Sequence, residues 1–425
     1  MAAPWHQLPC ILRNVVICLE SNRDVLHAAA VCKAWADAAA AVPLPAKLRW
    51  SSDDTPKDVT TLAWSLCITH HWHPKPLPEQ VAGMTALQQL VLSTSSLQEL
   101  PDSIGQLQQL TQITINDCLC LQALPASLCQ LSRLQRLTLR MCTALAALPP
   151  SLGSLRRLSH LSITLCYSLR SLPGSLCALP VLQYLHLGRN YALVELPPGL
   201  GSVLSAARSS CNNSSSSSVV LSGVAARLTS LHISGSHHLH DLPASLGQLS
   251  KLQRLAVSNC GGLSGLPSCL SGMTSLSSLK LSHCPRLVRL PGTLPTDLIA
   301  LRQLLLRHCD GLQEVPERLG SMVQLSRLVL EGCSRLERLP AGLAEVPGLQ
   351  LVVKNCVGLR TRQDSRVLGL CCRTQEQEGL QQQQQQQLGP HMAGVLQQLG
   401  EMRIGEVYWG FTWKLCPWFF LWAWC

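Results

Sequence analysis

The chain is 425 residues long, with 47% hydrophobic and 14% charged residues, so length alone allows three ordinary domains. A net charge of +10 is modest over that length: it favours acidic partners and does not call for nucleic acid. Twenty-one cysteines suggest a disulfide framework, but the first residues carry no basic stretch followed by a long apolar run and a small-residue cleavage site. The expectation is therefore free thiols in a reducing compartment, cytoplasmic, with nuclear, cytoskeletal and axonemal locations open.

Residues 1–42 predict two or three short helices. Ile11, Leu12, Val15, Val16 and Leu19 place one apolar stripe on a first helix, and Asn22 or Asp24 can cap a second that carries Val25, Leu26, Ala29 and Ala30. The string Leu8-Pro9, Leu12, Val16, Leu19, Asp24, Leu26, Val31-Cys32-Lys33 and Trp35 resembles the F-box, whose members read LPxEL, a hydrophobic run and DLxxxxxVCKxW. Ile11 stands where that family carries its Glu, and the loop between Leu19 and Asp24 differs in length. The resemblance implies an F-box-like helical domain that docks on a Skp1-like adaptor and its cullin complex through Leu8, Pro9, Leu12, Val16, Leu19, Val31 and Trp35. A second reading is a helical cap that shields the first unit of a repeat array.

Residues 43–62 are a polar connector with one possible strand at 47–50. From residue 63 the chain becomes periodic. Leu110, Leu134 and Leu158 each open a 24-residue copy of LxxLxLxxCxxLxxLPxSLxxLxx. A degenerate unit at 63–86 and a shorter one at Leu87 precede them, and further units open at 182, 228, 252, 276, 301 and 325 before a last strand at Leu349, Leu351 and Val353. Within LxxLxL, positions 4 and 6 share one face and positions 3, 5 and 7 the other, which is the period of a strand. Leucines at positions 12, 15, 19 and 22 follow at looser spacing, with a proline at 16 fixing the bend. No single unit can bury its own leucines, and stacked units can.

This period and spacing resemble the leucine-rich repeats, in particular the intracellular plant type with an LPxxLxxL second half. The resemblance implies an α/β fold: a curved leucine-rich-repeat solenoid over residues 63–360, with a parallel β ladder on its concave face and the LPxSLGxL halves on its back. Twelve strands are counted from residue 63 onward, in addition to the possible one at 47–50. Eight cysteines (118, 142, 166, 260, 284, 309, 333 and 356) fall on position 9 and are read as packed thiols.

Residues 206–227 interrupt the array with Asn212, Asn213 and a serine run, and hold no leucine before Leu221. Such a stretch buries too little to offset its ordering entropy, which predicts a loop inserted between the strands at Leu182 and Leu228. A decayed repeat is the competing reading. Residues 361–425 combine a glutamine tract at 381–387 with nine of the seventeen aromatic residues from Tyr408 onward. Disorder is expected there, and no membrane span, because Lys414 and Pro417 break the apolar run.

P-loop, dinucleotide-fold, nucleophile-elbow, zincin, CxxC and EF-hand patterns are all absent from the sequence, so no enzyme and no cofactor are expected. His70, His71, His73 and His237, His238, His240 each spell HHxH. They lie too far apart on the array to share an ion and read as solvated loop histidines. The repeat offers instead a surface. Positions 3, 5, 7 and 8 place Arg136, Arg140, His160, Tyr184, His186, Arg189, Arg254, Lys280, His283, Arg307, His308 and Arg327 on the concave face, against Asp117 and Glu331 as the acids. Such a face suits an acidic or phosphorylated protein segment. Two functions compete: the substrate-recognition subunit of an SCF-type ubiquitin ligase, and a non-enzymatic repeat scaffold in signalling, immunity-like recognition or axonemal assembly.

Overall fold

The computed structural model describes residues 47–50, 65–69, 81, 83–93, 96–202, 227–268 and 270–359. The F-box-like segment, His70, His71 and His73, nearly all of the Ser-rich interruption, and the tail lie outside them.

Among the described residues, thirteen strands form one sheet in sequence order: β1 (Lys47–Trp50), β2 (Ser65–Thr69), β3 (Gln89–Ser93), β4 (Gln112–Asn116), β5 (Arg136–Arg140), β6 (His160–Thr164), β7 (Tyr184–Gly188), β8 (Ser230–Ser234), β9 (Arg254–Ser258), β10 (Ser278–Ser282), β11 (Gln303–Arg307), β12 (Arg327–Glu331) and β13 (Gln350–Lys354). Every pairing is parallel and in repeat register, Leu137 beside Leu161 and Leu139 beside Ile163. The strand at 47–50, which the sequence left in the connector, joins this ladder, with Leu48 beside Leu66 and Trp50 beside Ile68. The array thus begins one strand earlier than the leucine pattern alone marks.

The core follows the period. In β5 the burial alternates, with Leu137 and Leu139 inaccessible and Arg136 and Arg140 exposed. Behind the strands, the proline at position 16 holds extended backbone (Pro125, φ −67°) and starts a short 3-10 helix over Ala126–Gln130, whose Leu128 is fully buried. The same device recurs at Asp102–Gln106, Gly174–Ala178, Ala244–Gln248, Glu317–Ser321 and Ala341–Glu345. All these leucines form one continuous hydrophobic cluster from Leu66 to Leu351. Each repeat covers the next, as stacking requires.

Position 9 closes the turn after each strand. The cysteines there are reduced thiols, and each donates to the carbonyl two residues back, as Cys118 does to Asn116 at 3.4 Å and Cys284 to Ser282 at 3.5 Å. Burial pushes the Cys260 and Cys309 thiols up to about 12, so they stay protonated. One repeat uses Asn190 instead. Its Nδ2 donates to the Ile163 carbonyl at 2.9 Å and its Oδ1 accepts the Cys166 N–H at 3.0 Å, so a single buried amide fastens two repeats.

Position 8 is left-handed in every repeat from β4 onward, even where the residue is Met141 (φ 52°), Leu165 (φ 60°) or Arg189 (φ 53°). Such backbone is unfavourable for these residue types. In every such repeat but the last described one, at Asn355, the position-8 N–H donates to the carbonyl at position 7 of the following repeat, Met141 to Thr164 at 2.9 Å and His283 to Arg307 at 2.8 Å.

β7 pairs directly with β8, Leu185 beside Leu231 and Leu187 beside Ile233, so the ladder crosses the interruption without a missing rung. The back closes as well, the Gly201 N–H donating to Ser245 Oγ at 3.2 Å. A second regularity runs across the interruption. Position 2 alternates along the array as Gln88, Thr111, Gln135, Ser159, Gln183, Thr229, Gln253 and Ser277. Each hydroxyl donates to the glutamine carbonyl before it, at 3.0 to 3.1 Å. The alternation continues from Gln183 to Thr229 across the interruption.

Candidate functional site

The outward side chains of β5 to β9 make the densest cluster of chemistry on the ladder. Successive strands bring Arg136 and Arg140, then His160, then Tyr184, His186 and Arg189, then His232, then Arg254 onto one face. In these five strands no position 3, 5, 7 or 8 is acidic. The four arginines are exposed, whereas the rings are half-buried among them.

The rings touch in sequence across the strands. His160 and Tyr184 have centroids 6.0 Å apart, Tyr184 meets His186 edge-on at 6.2 Å, and His186 stacks on His232 at 4.5 Å and 5°. Burial, and then the His232 ring alongside, hold His186 low, at about 4. Burial and the Arg136 charge lower His160 as well, while its Nδ1 lies 2.8 Å from Ser159 Oγ. His160 and His186 are thus neutral at ordinary pH and lie among permanent cations.

A second column of rings runs along the edge of the ladder at position 10. Tyr167 stacks on Tyr191 at 5.0 Å, and Tyr191 on His237 at 5.3 Å. Both tyrosines are about 40% exposed.

The remaining expected residues are placed as follows. Lys280 is exposed on β10, Arg327 is exposed on β12, and His283 stacks on His308 at 4.6 Å. Arg307 lies 3.2 Å from Glu331, an ion pair that takes its charge out of the general basic field. His237, His238 and His240 are exposed, and no group of three or more potential ligands able to hold a metal ion occurs among the described residues. Among those residues, no helix is long and apolar enough to cross a membrane.

His232, Tyr167, Tyr191 and His237 are missing from the sequence-derived surface. His232 had a usable signal, because it repeats the position-5 slot of His186 in the next unit. The position-10 column had none, since other repeats place Leu119, Thr143 and Gly261 there.

No family model matches the sequence, and no curated protein matches it. Solved structures do. A chain of the Drosophila Toll–Spätzle complex, described as a hub in development and innate immunity, is 16% identical at a TM-score of 0.50, over 72% of this chain and 44% of that one. The leucine-rich-repeat domain of the type III effector XopL is 28% identical over 63% of this chain and 76% of that one, at a TM-score of 0.44. A leucine-rich-repeat protein of Leptospira interrogans is 20% identical over 77% and 94%, at 0.42. The 24-residue unit, the parallel ladder in repeat register and the buried leucine positions define the class: this is a leucine-rich-repeat solenoid.

Proposed function

We propose that the chain is a noncatalytic recognition protein that holds an acidic or phosphorylated segment of a protein target on the ladder face between β5 and β9. The observation that carries this reading is the arrangement of Arg136, Arg140, Arg189 and Arg254 around a block of stacked rings, with no acid in the same slots. Cations give such a face its sign, and half-buried rings give it contact area that needs little ordering on binding.

The F-box resemblance of residues 5–42 supports a finer reading, in which this protein is the substrate receptor of an SCF-type ligase. Leu8, Pro9, Leu12, Val16, Leu19, Val31 and Trp35 then engage the Skp1-like adaptor, and the repeats present the target. The scaffold reading keeps the same ladder face and assigns those helices to capping. Affinity purification of the full chain followed by mass spectrometry tests both levels. Recovery of Skp1 and cullin supports the ligase receptor, and recovery of a target without them leaves the scaffold.

A further inference from the structure

The ring column at position 10 stops at His237. Tyr167, Tyr191 and His237 come from consecutive repeats and stack at 5.0 and 5.3 Å, within 16° of parallel, close to the ~4.8 Å rung of the ladder. The next repeat places Gly261 in the same position. Among the described residues, a Cβ built on Gly261 would meet within 4 Å only His237 Nδ1, at 3.5 Å, which is ordinary contact. Gly261 does not hold the left-handed backbone of Gly235 (φ 64°) or Gly332 (φ 66°), so turn geometry does not call for a glycine here. Pro285, in position 10 of the repeat after, stands two rungs from His237, about 10 Å at the ladder spacing. A ring held between two such groups needs about 7–8 Å, two contacts of ~3.5–4.0 Å. His237 is exposed and Gly261 half-buried, so the place of the next ring opens to the outside.

We propose that this slot takes a tyrosine ring from an acidic segment of a partner protein, the ring stacking on His237 above Gly261 and continuing the column by one member. This rests on the reading of the adjoining ladder face as a surface for anionic protein segments. Charge complementarity selects the occupant. Positions 7 to 12 of the repeats opening at 228, 252 and 276 hold His237, His238, His283 and Arg286 and no acid. Asp241, further on at position 14, accepts the Ser264 hydroxyl at 2.9 Å. A guanidinium stacks on a ring as readily as an aromatic side chain does, but Arg286 and the neighbouring Arg254 oppose it. A ring with carboxylates on either side meets both features at once, stacking at the slot and an opposite charge around it.

Two fluorescently labelled peptides of equal charge, Glu-Glu-Glu-Tyr-Glu-Glu-Glu and its counterpart with a central Leu, titrated into the full chain at low salt and followed by anisotropy, read this directly. The Tyr peptide is expected to bind about three- to tenfold more tightly than the Leu peptide. Gly261→Tyr completes the column with a ring of the chain itself and should bring the Tyr peptide down to the affinity of the Leu peptide. Its Cβ fits the space at 261, so the melting midpoint should not fall, which checks the fold. His237→Ala removes the stacking partner and should shrink the preference as well. Gly265→Tyr, where a Cβ meets nothing within 4 Å among the described residues, keeps it. Equal binding of the two peptides by the unsubstituted chain, or a preference that survives Gly261→Tyr or His237→Ala, overturns the slot and leaves the anionic-segment reading standing. No binding of either peptide overturns that reading itself. A single-stranded oligonucleotide of equal charge that binds more tightly than the Tyr peptide, and is weakened by Gly261→Tyr, overturns the protein occupant.

Discussion

The Thr229 hydroxyl donates to the Gln183 carbonyl at 3.0 Å although the two residues are 46 apart in sequence. The equivalent bonds between Ser159 and Gln135 and between Ser277 and Gln253 span 24. The interruption therefore adds chain without adding a rung. Removing residues 206–227 joins Ser205 to Leu228 at the regular period and should leave the thermal midpoint within about 2 °C of the intact chain. A fall of ten degrees or so would mean that the segment packs as a repeat.

Asn190 satisfies two buried backbone groups at once, the Cys166 N–H and the Ile163 carbonyl. Asn190→Ala leaves both unpaired with no route to water and should cost about 2–4 kcal/mol in urea-induced unfolding. Asn190→Cys should cost less, since a thiol fits this position in eight other repeats and Cys142 reaches the corresponding Ile115 carbonyl. Equal losses in the two variants would show that the amide acts through volume and not through its hydrogen bonds.

The contrast between these features shows what the sequence discloses. Leu137, Leu139 and Cys142 are legible because burial restricts them to one size and polarity in every copy, and the period repeats the message. Met141, Leu165 and Arg189 share a backbone conformation that no common residue type announces, because it is imposed by a hydrogen bond that each position-8 N–H donates to the following repeat. His232 escaped notice because the inserted segment moved it away from His186 along the chain, although the register sets the two side by side. β1 was left out of the array because its unit lacks the leucines that mark the others, whereas its pairing needs only backbone.

Recognition by the basic face carries its own test. Arg136, Arg140 and Arg189 are exposed and point away from the leucine core, so replacing all three by serine should leave the melting midpoint nearly unchanged. Binding of an anionic target peptide should weaken about 10- to 30-fold at low salt, and the difference should shrink at ~0.5 M salt as the charges are screened. If the peptide binds the variant as well as it binds the intact chain, recognition lies off the ladder face.

The adaptor reading depends on residues 5–42, where Leu8, Pro9, Leu12, Val16, Leu19, Val31 and Trp35 must share their apolar area between a small internal core and Skp1. A domain of about 40 residues is marginal alone, so part of that area is expected to await a partner. Replacing both Leu8 and Pro9 by alanine should then abolish capture of purified Skp1, while the chain expressed from Pro43 onward keeps the whole ladder, β1 included, and still binds its target. The cap reading predicts the opposite for the truncated chain. Without its cap the outer edge of β1 would be exposed as an unpaired strand, and the protein should aggregate. A pull-down on the intact and doubly substituted chains, with light scattering on the truncated one, separates the two. An intact chain that fails to capture Skp1 removes the ligase receptor from consideration and leaves the repeats as a scaffold.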